Sequence, residues 1–252
     1  REKFMTIHNK LLMSTAAAMI AMSGVAFAES HAMTGPNGEA LAETQEFTYR
    51  VLDEHSSLDP GIVEDVTGSE VVRDLFEGLY NDSKSGATLE PGVALSHEVS
   101  EDGLTYTFTL REEAKWSNGD PVTAGDFVYA WRRAASPELA SPYAWYMSLM
   151  SLENVDEVIS GDAPLEDLGV TAIDDYTLEV RLKEPLPYFP QMLTHATTFP
   201  VPQSVVEEHG DRWTRPENIV SNGAYVLEDH VPQERSVRVK NDMYWDAENT
   251  IV

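Results

Sequence analysis

The sequence predicts an α/β chain folded in two lobes, and three observations carry that prediction. Apolar and polar residues alternate with period two at 104–110, 176–182 and in two stretches between 224 and 240. Stretches with apolar residues at helical spacing stand between and before these strands, so helices and strands interleave over the whole length. Between Ser83 and Glu90 the composition shifts to small and polar residues, as it does where a chain passes from one lobe to another.

The elements follow in order. Residues 29–45, which include Gly35-Pro36-Asn37-Gly38, are polar and read as a leader. Phe47-Thr-Tyr-Arg-Val-Leu52 alternates as a strand, and Ser57-Leu-Asp-Pro60 turns the chain. Thr67 and Glu70 have capping-box spacing. Val71, Val72, Leu75, Phe76 and Leu79 then make one apolar helix face, which leaves Arg73, Asp74 and Glu77 solvated. Leu104, Tyr106, Phe108 and Leu110 alternate with three threonines, which predicts one buried face and one wet one. Asn118-Gly119 supplies a turn, and Thr123 with Asp126 has the spacing to cap a helix that buries Phe127, Ala130, Trp131 and Ala134. Val170 to Leu182 reads as a strand pair turning at Asp174-Asp175, ended by Pro185, Pro187 and Pro190. A short helix near 203–208 and strands at 224–227 and 236–240 complete the reading, with a turn over 241–247.

Arg1 to Phe4 belong to no recognisable segment. From Met5 a short basic start, an apolar run from Leu11 to Phe27 and Ala26-Phe-Ala28 make a secretory signal peptide cleaved after Ala28. A transmembrane anchor fits less well, because Ser14, Thr15, Ser23 and Gly24 interrupt a run already shorter than the roughly 20 apolar residues of a span. The expected location is therefore the periplasm. There is no cysteine, so disulfides and thiolate chemistry are excluded and core burial alone must hold the fold. Of 252 residues 17 are basic and 43 acidic, a net charge of −26; without residues 1–28 the counts become 14 and 42, or −28. Such a surface repels nucleic acid and anionic lipid. The seven histidines stand far apart in sequence and none forms a paired helical motif, so no metal ligand set is expected. Serine-hydrolase elbows, phosphate-binding loops and dinucleotide fingerprints do not occur.

Three segments in order, Arg73-Asp-Leu-Phe-Glu-Gly-Leu79, the run Trp116-Ser-Asn-Gly-Asp-Pro-Val-Thr-Ala-Gly-Asp-Phe-Val-Tyr-Ala-Trp131 with Ser141-Pro-Tyr-Ala-Trp145 after it, and Asn218-Ile-Val-Ser-Asn-Gly-Ala-Tyr225, resemble the oligopeptide-binding proteins of ABC importers. The resemblance runs from about Thr48 to Asn249. It implies a class II periplasmic binding protein, two-lobed, with a core lobe from 46–82 and 193–252 and a smaller lobe, 83–192, inserted between. Family members are substantially longer, so the resemblance implies an incomplete chain whose C-terminal lobe is missing. It further implies that a peptide lies extended between the lobes, its main chain paired as an added strand would be.

By position, Glu64, Asp65 and Val66 match the segment that runs along the peptide backbone, and Tyr143 matches a tyrosine whose hydroxyl reaches that backbone. Tyr244 and Trp245 match a pair near the cleft, as pocket wall or as packing. Relatives can carry glycine where Asp65 stands. The implied function is capture of oligopeptides for an ABC permease by a monomer with no catalytic residues, cofactor or metal. Alternatives are a murein-peptide, dipeptide, metal or haem ligand, and, from another class, a periplasmic hydrolase.

Overall fold

A computed structural model describes residues 34–251 apart from 36, 37, 84 and 87; the signal peptide and cleavage site expected from the sequence lie outside the described residues. The chain divides into two compact units, 1–43 and 44–252. In the first, Thr34 bridges Ala40, and the amide of Gly35 donates to the carbonyl of Glu39 at 2.8 Å. All the named helices and strands lie in the second.

Its elements are α1 (Val66–Leu75), β1 (Tyr80–Asp82), β2 (Leu89–Pro91), β3 (Ala94–Val99), β4 (Thr105–Leu110), α2 (Ala124–Ala135), α3 (Ala144–Leu149) and α4 (Val155–Ser160), then β5 (Val170–Asp174), β6 (Thr177–Arg181), α5 (Phe189–Met192), α6 (Gln203–His209), β7 (Tyr225–Val231) and β8 (Arg235–Lys240), with short 3₁₀ turns between some of them. β3, β4, β6 and β5 form a four-stranded sheet in that order, while β1–β2 and β7–β8 are two-stranded. Every pairing among the described residues is antiparallel. No helix among them is long and apolar enough to cross a membrane.

β4 follows its alternation: Tyr106, Phe108 and Leu110 are buried and Thr109 is exposed. Each such apolar side chain contributes about 1.5–3 kcal/mol on burial. α2 also forms as expected. The Asp126 carboxylate accepts from the Thr123 amide at 2.7 Å and hydroxyl at 3.0 Å, and Phe127, Ala130, Trp131 and Ala134 are buried. Gly119 sits at φ 93°, the left-handed backbone that the preceding turn requires.

Three expectations are corrected. Phe47 to Leu52 forms no strand: among the described residues no ladder partner meets its backbone, and Phe47, Tyr49 and Leu52 are exposed. Alternation marks which side chains are apolar, but a strand needs a neighbour for its amides and carbonyls. The cap of α1 is Asp65 rather than Thr67; its carboxylate accepts from the Gly68 amide at 2.7 Å. The helix also stops at Leu75, so Phe76 and Leu79 are buried from an extended segment, Phe76 against the Trp213 ring at 5.9 Å. Glu77, expected in solvent, is consequently off the helix and only 4 % exposed.

The segments that carry the resemblance interlock. The Gly223 amide donates to the Leu75 carbonyl at 2.8 Å, and a β-carbon on Gly223 would stand 2.6 Å from the Leu75 carbonyl carbon, so only glycine allows this approach. Asn222 accepts from the Glu77 amide and donates to the Glu77 carbonyl. The Ser117 amide donates to the Ser221 carbonyl at 2.7 Å, and the Trp131 indole to the Thr198 carbonyl at 2.8 Å.

Candidate functional site

The loop before α1 is held from inside the protein. Asp59 is buried, and its two carboxylate oxygens accept from both terminal nitrogens of Arg133, at 3.0 and 2.7 Å, from the Gly61 amide at 2.9 Å and from the Trp213 indole at 3.0 Å. Four donors on one buried carboxylate fix where the chain turns. The Gly61 carbonyl in turn accepts from the Ser141 hydroxyl at 2.6 Å, which joins this loop to the segment that presents Tyr143.

Past that anchor, Glu64 is exposed and Val66, the first residue of α1, is 76 % exposed. Asp65 is spent on structure. Besides capping α1 it accepts from the Ser56 amide at 2.8 Å and hydroxyl at 2.5 Å. Burial alone would raise its carboxyl, but these Ser56 and Gly68 donors together hold it below the usual carboxylate range.

Tyr143 stands at the N-terminus of α3, its amide donating to the Ser141 hydroxyl at 3.2 Å. Its ring meets His195 edge-on at 4.7 Å and Trp145 at 5.8 Å, and Tyr146 stacks on His195 at 4.3 Å. The Tyr146 hydroxyl donates to the Met192 carbonyl, whereas the Tyr143 hydroxyl has no hydrogen bond among the described residues. Burial lowers the His195 pKa, with Arg73 adding to the effect, so a neutral imidazole backs this aromatic group. Trp145 is 56 % exposed beside it.

Tyr244 and Trp245 rest on a different anchor. The Tyr244 hydroxyl donates to Glu77 Oε1 and the Trp245 indole to Glu77 Oε2, each at 2.6 Å, while Asn81 donates to Oε1 at 2.8 Å. The Arg111 guanidinium lies 3.6 Å from the centre of the Trp245 ring. Burial pushes the Glu77 carboxyl up, against the pull of Tyr244, Trp245, Asn81 and Arg111; burial and then Glu77 itself raise the Tyr244 phenol. The polar atoms of this pair are thus engaged, and what they still offer is ring surface.

Of the six residues singled out from the sequence, the structure therefore joins the segments of Glu64, Asp65, Val66 and Tyr143, and holds Tyr244 and Trp245 on Glu77. The exposed Glu64 carboxylate and Val66 side chain and the half-buried Tyr143 phenol can bind a ligand by contact and hydrogen bond. A surface cavity of about 720 Å³ lies elsewhere, over α2 and α6, where Tyr129, Arg132, Gln203 and Val206 line it, and none of the six does.

One constellation was not legible in the sequence. His55 and His230, 175 positions apart, face each other with ring centres 4.5 Å apart, and Glu54 lies against both, Oε1 at 2.8 Å from His230 Nε2 and 3.5 Å from His55 Nε2. The histidines stand far apart in sequence as read, and it is the fold that brings these two together, where the segment before α1 meets the β7–β8 hairpin, which no local spacing encodes. Among the described residues this is the one group of three or more able to ligate a metal ion.

Comparison with known proteins bears on the whole. The periplasmic oligopeptide-binding protein OppA of Salmonella typhimurium is 47 % identical over 239 residues, covering 95 % of this chain and 44 % of that protein's length. The murein tripeptide-binding protein MppA of Escherichia coli matches in structure with a TM-score of 0.81 at 44 % identity, over 84 % of this chain and 41 % of that one. Haemophilus influenzae OppA in complex with RPPGFSPFR matches with a TM-score of 0.76 at 46 % identity, over 78 % and 38 %. The chain thus spans less than half the length of these relatives, and its mixed helix-and-sheet fold is theirs over the shared part, as the class II reading expected. The model of the bacterial extracellular solute-binding proteins, family 5 (middle), matches residues 88–251, about two thirds of the sequence, and the chain belongs to that family.

Proposed function

We propose that this protein is the solute-binding component of an ABC importer, capturing extended oligopeptides in the periplasm and delivering them to permease subunits in the inner membrane. The observation that carries this reading is 47 % identity, over 95 % of the chain, to a protein named for periplasmic oligopeptide binding. In this reading the core lobe comprises 46–82 and 193–252, the smaller lobe 83–192, and the peptide lies between lobes with its main chain paired to protein main chain. Glu64 and Val66 run beside it, with Asp65 holding their segment in place. The Tyr143 hydroxyl, which has no hydrogen-bond partner among the described residues, bonds the peptide backbone, and Tyr244 and Trp245 present ring surface to the cleft.

The protein acts as a monomer, without chemistry or cofactor, and is exported by cleavage after Ala28. A murein peptide is the second reading, supported by the match to the tripeptide-binding protein of Escherichia coli. Mass spectrometry of ligands that co-purify with the full-length gene product tests both. Intact peptides of mixed sequence are expected; a uniform murein-derived species favours the second reading, and cleaved peptides point to a hydrolase. N-terminal sequencing of periplasmic material is expected to begin at Glu29.

A further inference from the structure

We propose that Glu54, His55 and His230 form a binding site for a divalent transition-metal ion of the zinc type, tying the segment before α1 to the β7–β8 hairpin. Two imidazoles and one carboxylate are the donor set such ions take, with a fourth position left for water. The three ligand atoms lie within 4.8 Å of one another. Zinc bonds of about 2.0–2.2 Å place tetrahedral ligands about 3.4 Å apart, so the cluster closes by an adjustment of about 1 Å. Rotation of the imidazoles and of the long Glu54 side chain supplies it.

Two further observations point to a ligand rather than a hydrogen-bonded cluster complete in itself. His55 Nε2 is buried and has no hydrogen-bond partner among the described residues, although its ring is held between Glu54 and His230. A buried polar nitrogen without a partner is uncommon, and a metal bond satisfies it. The second observation is orientation. The Gln233 amide, at the hairpin turn, donates to Glu54 Oε2 at 2.5 Å and leaves Oε1 directed at both histidines, which is how an outer hydrogen bond aims a ligating carboxylate.

The test uses the full chain, stripped with chelator and titrated calorimetrically with zinc chloride alone at neutral pH. One zinc per chain is expected, with a melting temperature that rises with zinc. Glu54→Gln, His55→Asn and His230→Asn should each weaken uptake at least tenfold, whereas His209→Asn, outside the cluster, should not. Cobalt(II) in place of zinc should give intense visible bands of a four-coordinate site, lost in the histidine variants. Absence of saturable uptake overturns the proposal. So does uptake that both histidine variants retain, which would mark adventitious binding to surface carboxylates. If one variant does not fold, the remaining two decide.

Discussion

Replacing Arg133 by methionine tests whether the loop beside the proposed peptide path is held by the buried Asp59 network. Methionine keeps most of the apolar stem and deletes the two guanidinium donors that reach Asp59 at 3.0 and 2.7 Å. The carboxylate, on a residue 3 % exposed, would retain the Gly61 amide and the Trp213 indole but lose its one ion-pair partner among the described residues. Breaking a buried pair from one side costs about 3–5 kcal/mol, because an uncompensated charge stays behind. Unfolding entropy of about 2.1 cal/mol/K per residue gives roughly 0.4 kcal/mol/K for a unit of this size, so the melting temperature should fall by about 7–12 °C. Asp59→Asn combined with Arg133→Met removes both charges and should recover part of the loss, giving a coupling energy of about 1–3 kcal/mol in a double-mutant cycle. Thermal melts followed by circular dichroism on the four proteins are sufficient. A fall under about 2 °C for Arg133→Met, or strict additivity in the cycle, would refute the anchor.

Three further outcomes are expected. The Glu77 carboxyl is raised by burial, so its contribution to stability is full below the unfolded value near 4.5 and declines as pH rises through the higher folded value; Glu77→Gln should therefore gain stability relative to the parent between pH 4 and 8, and urea titrations in which it loses ground as pH rises would contradict this. With a charge of −28 on residues 29–252, the melting temperature should rise between 0.01 and 1 M sodium chloride as the screening length falls from about 30 to 3 Å, and a flat or falling curve would mean the acidic groups are already compensated. In the full-length gene product, Tyr143→Phe should weaken binding of unrelated peptides by about twofold to tenfold, the value of one hydrogen bond at about 0.5–1.5 kcal/mol, with an unchanged melting temperature; full affinity with a lowered melting temperature would strike Tyr143 from the site.

What was legible in the sequence was whatever a segment decides for itself. β4 and α2 were readable because half-burial imposes a period and because Asp126 caps within three residues of Thr123. The failures share a cause, a distant partner. Phe47 to Leu52 has the pattern of a strand and none of its neighbours among the described residues. Glu77 reads as a solvated helix residue until Tyr244 and Trp245, more than 160 positions on, donate to it. The cap of α1 went to Asp65 because its carboxylate serves Ser56 as well as Gly68, a second bond that spacing within the helix does not reveal. His55 and His230 are the same case at 175 positions.

The segments that carry the family resemblance are also explained by these distant contacts. Arg73–Leu79, Trp116–Trp131 and Asn218–Tyr225 meet through Gly223 on Leu75, Asn222 on Glu77 and Ser117 on Ser221. Gly223, Asn222 and Ser117 join the pieces, whatever is bound. Of the groups proposed to touch peptide, Tyr244 and Trp245 are tied to a joint through Glu77, whereas three have side chains free of the joints: Glu64 and Val66 past the Asp59 anchor, and Tyr143 past the Ser141–Gly61 bond. Substitution in the joints should therefore lower stability and affinity together, whereas substitution at Glu64, Val66 or Tyr143 should change affinity while the fold stands. A variant of Asn222 that bound peptide poorly at full stability would place the recognition elsewhere and break this division.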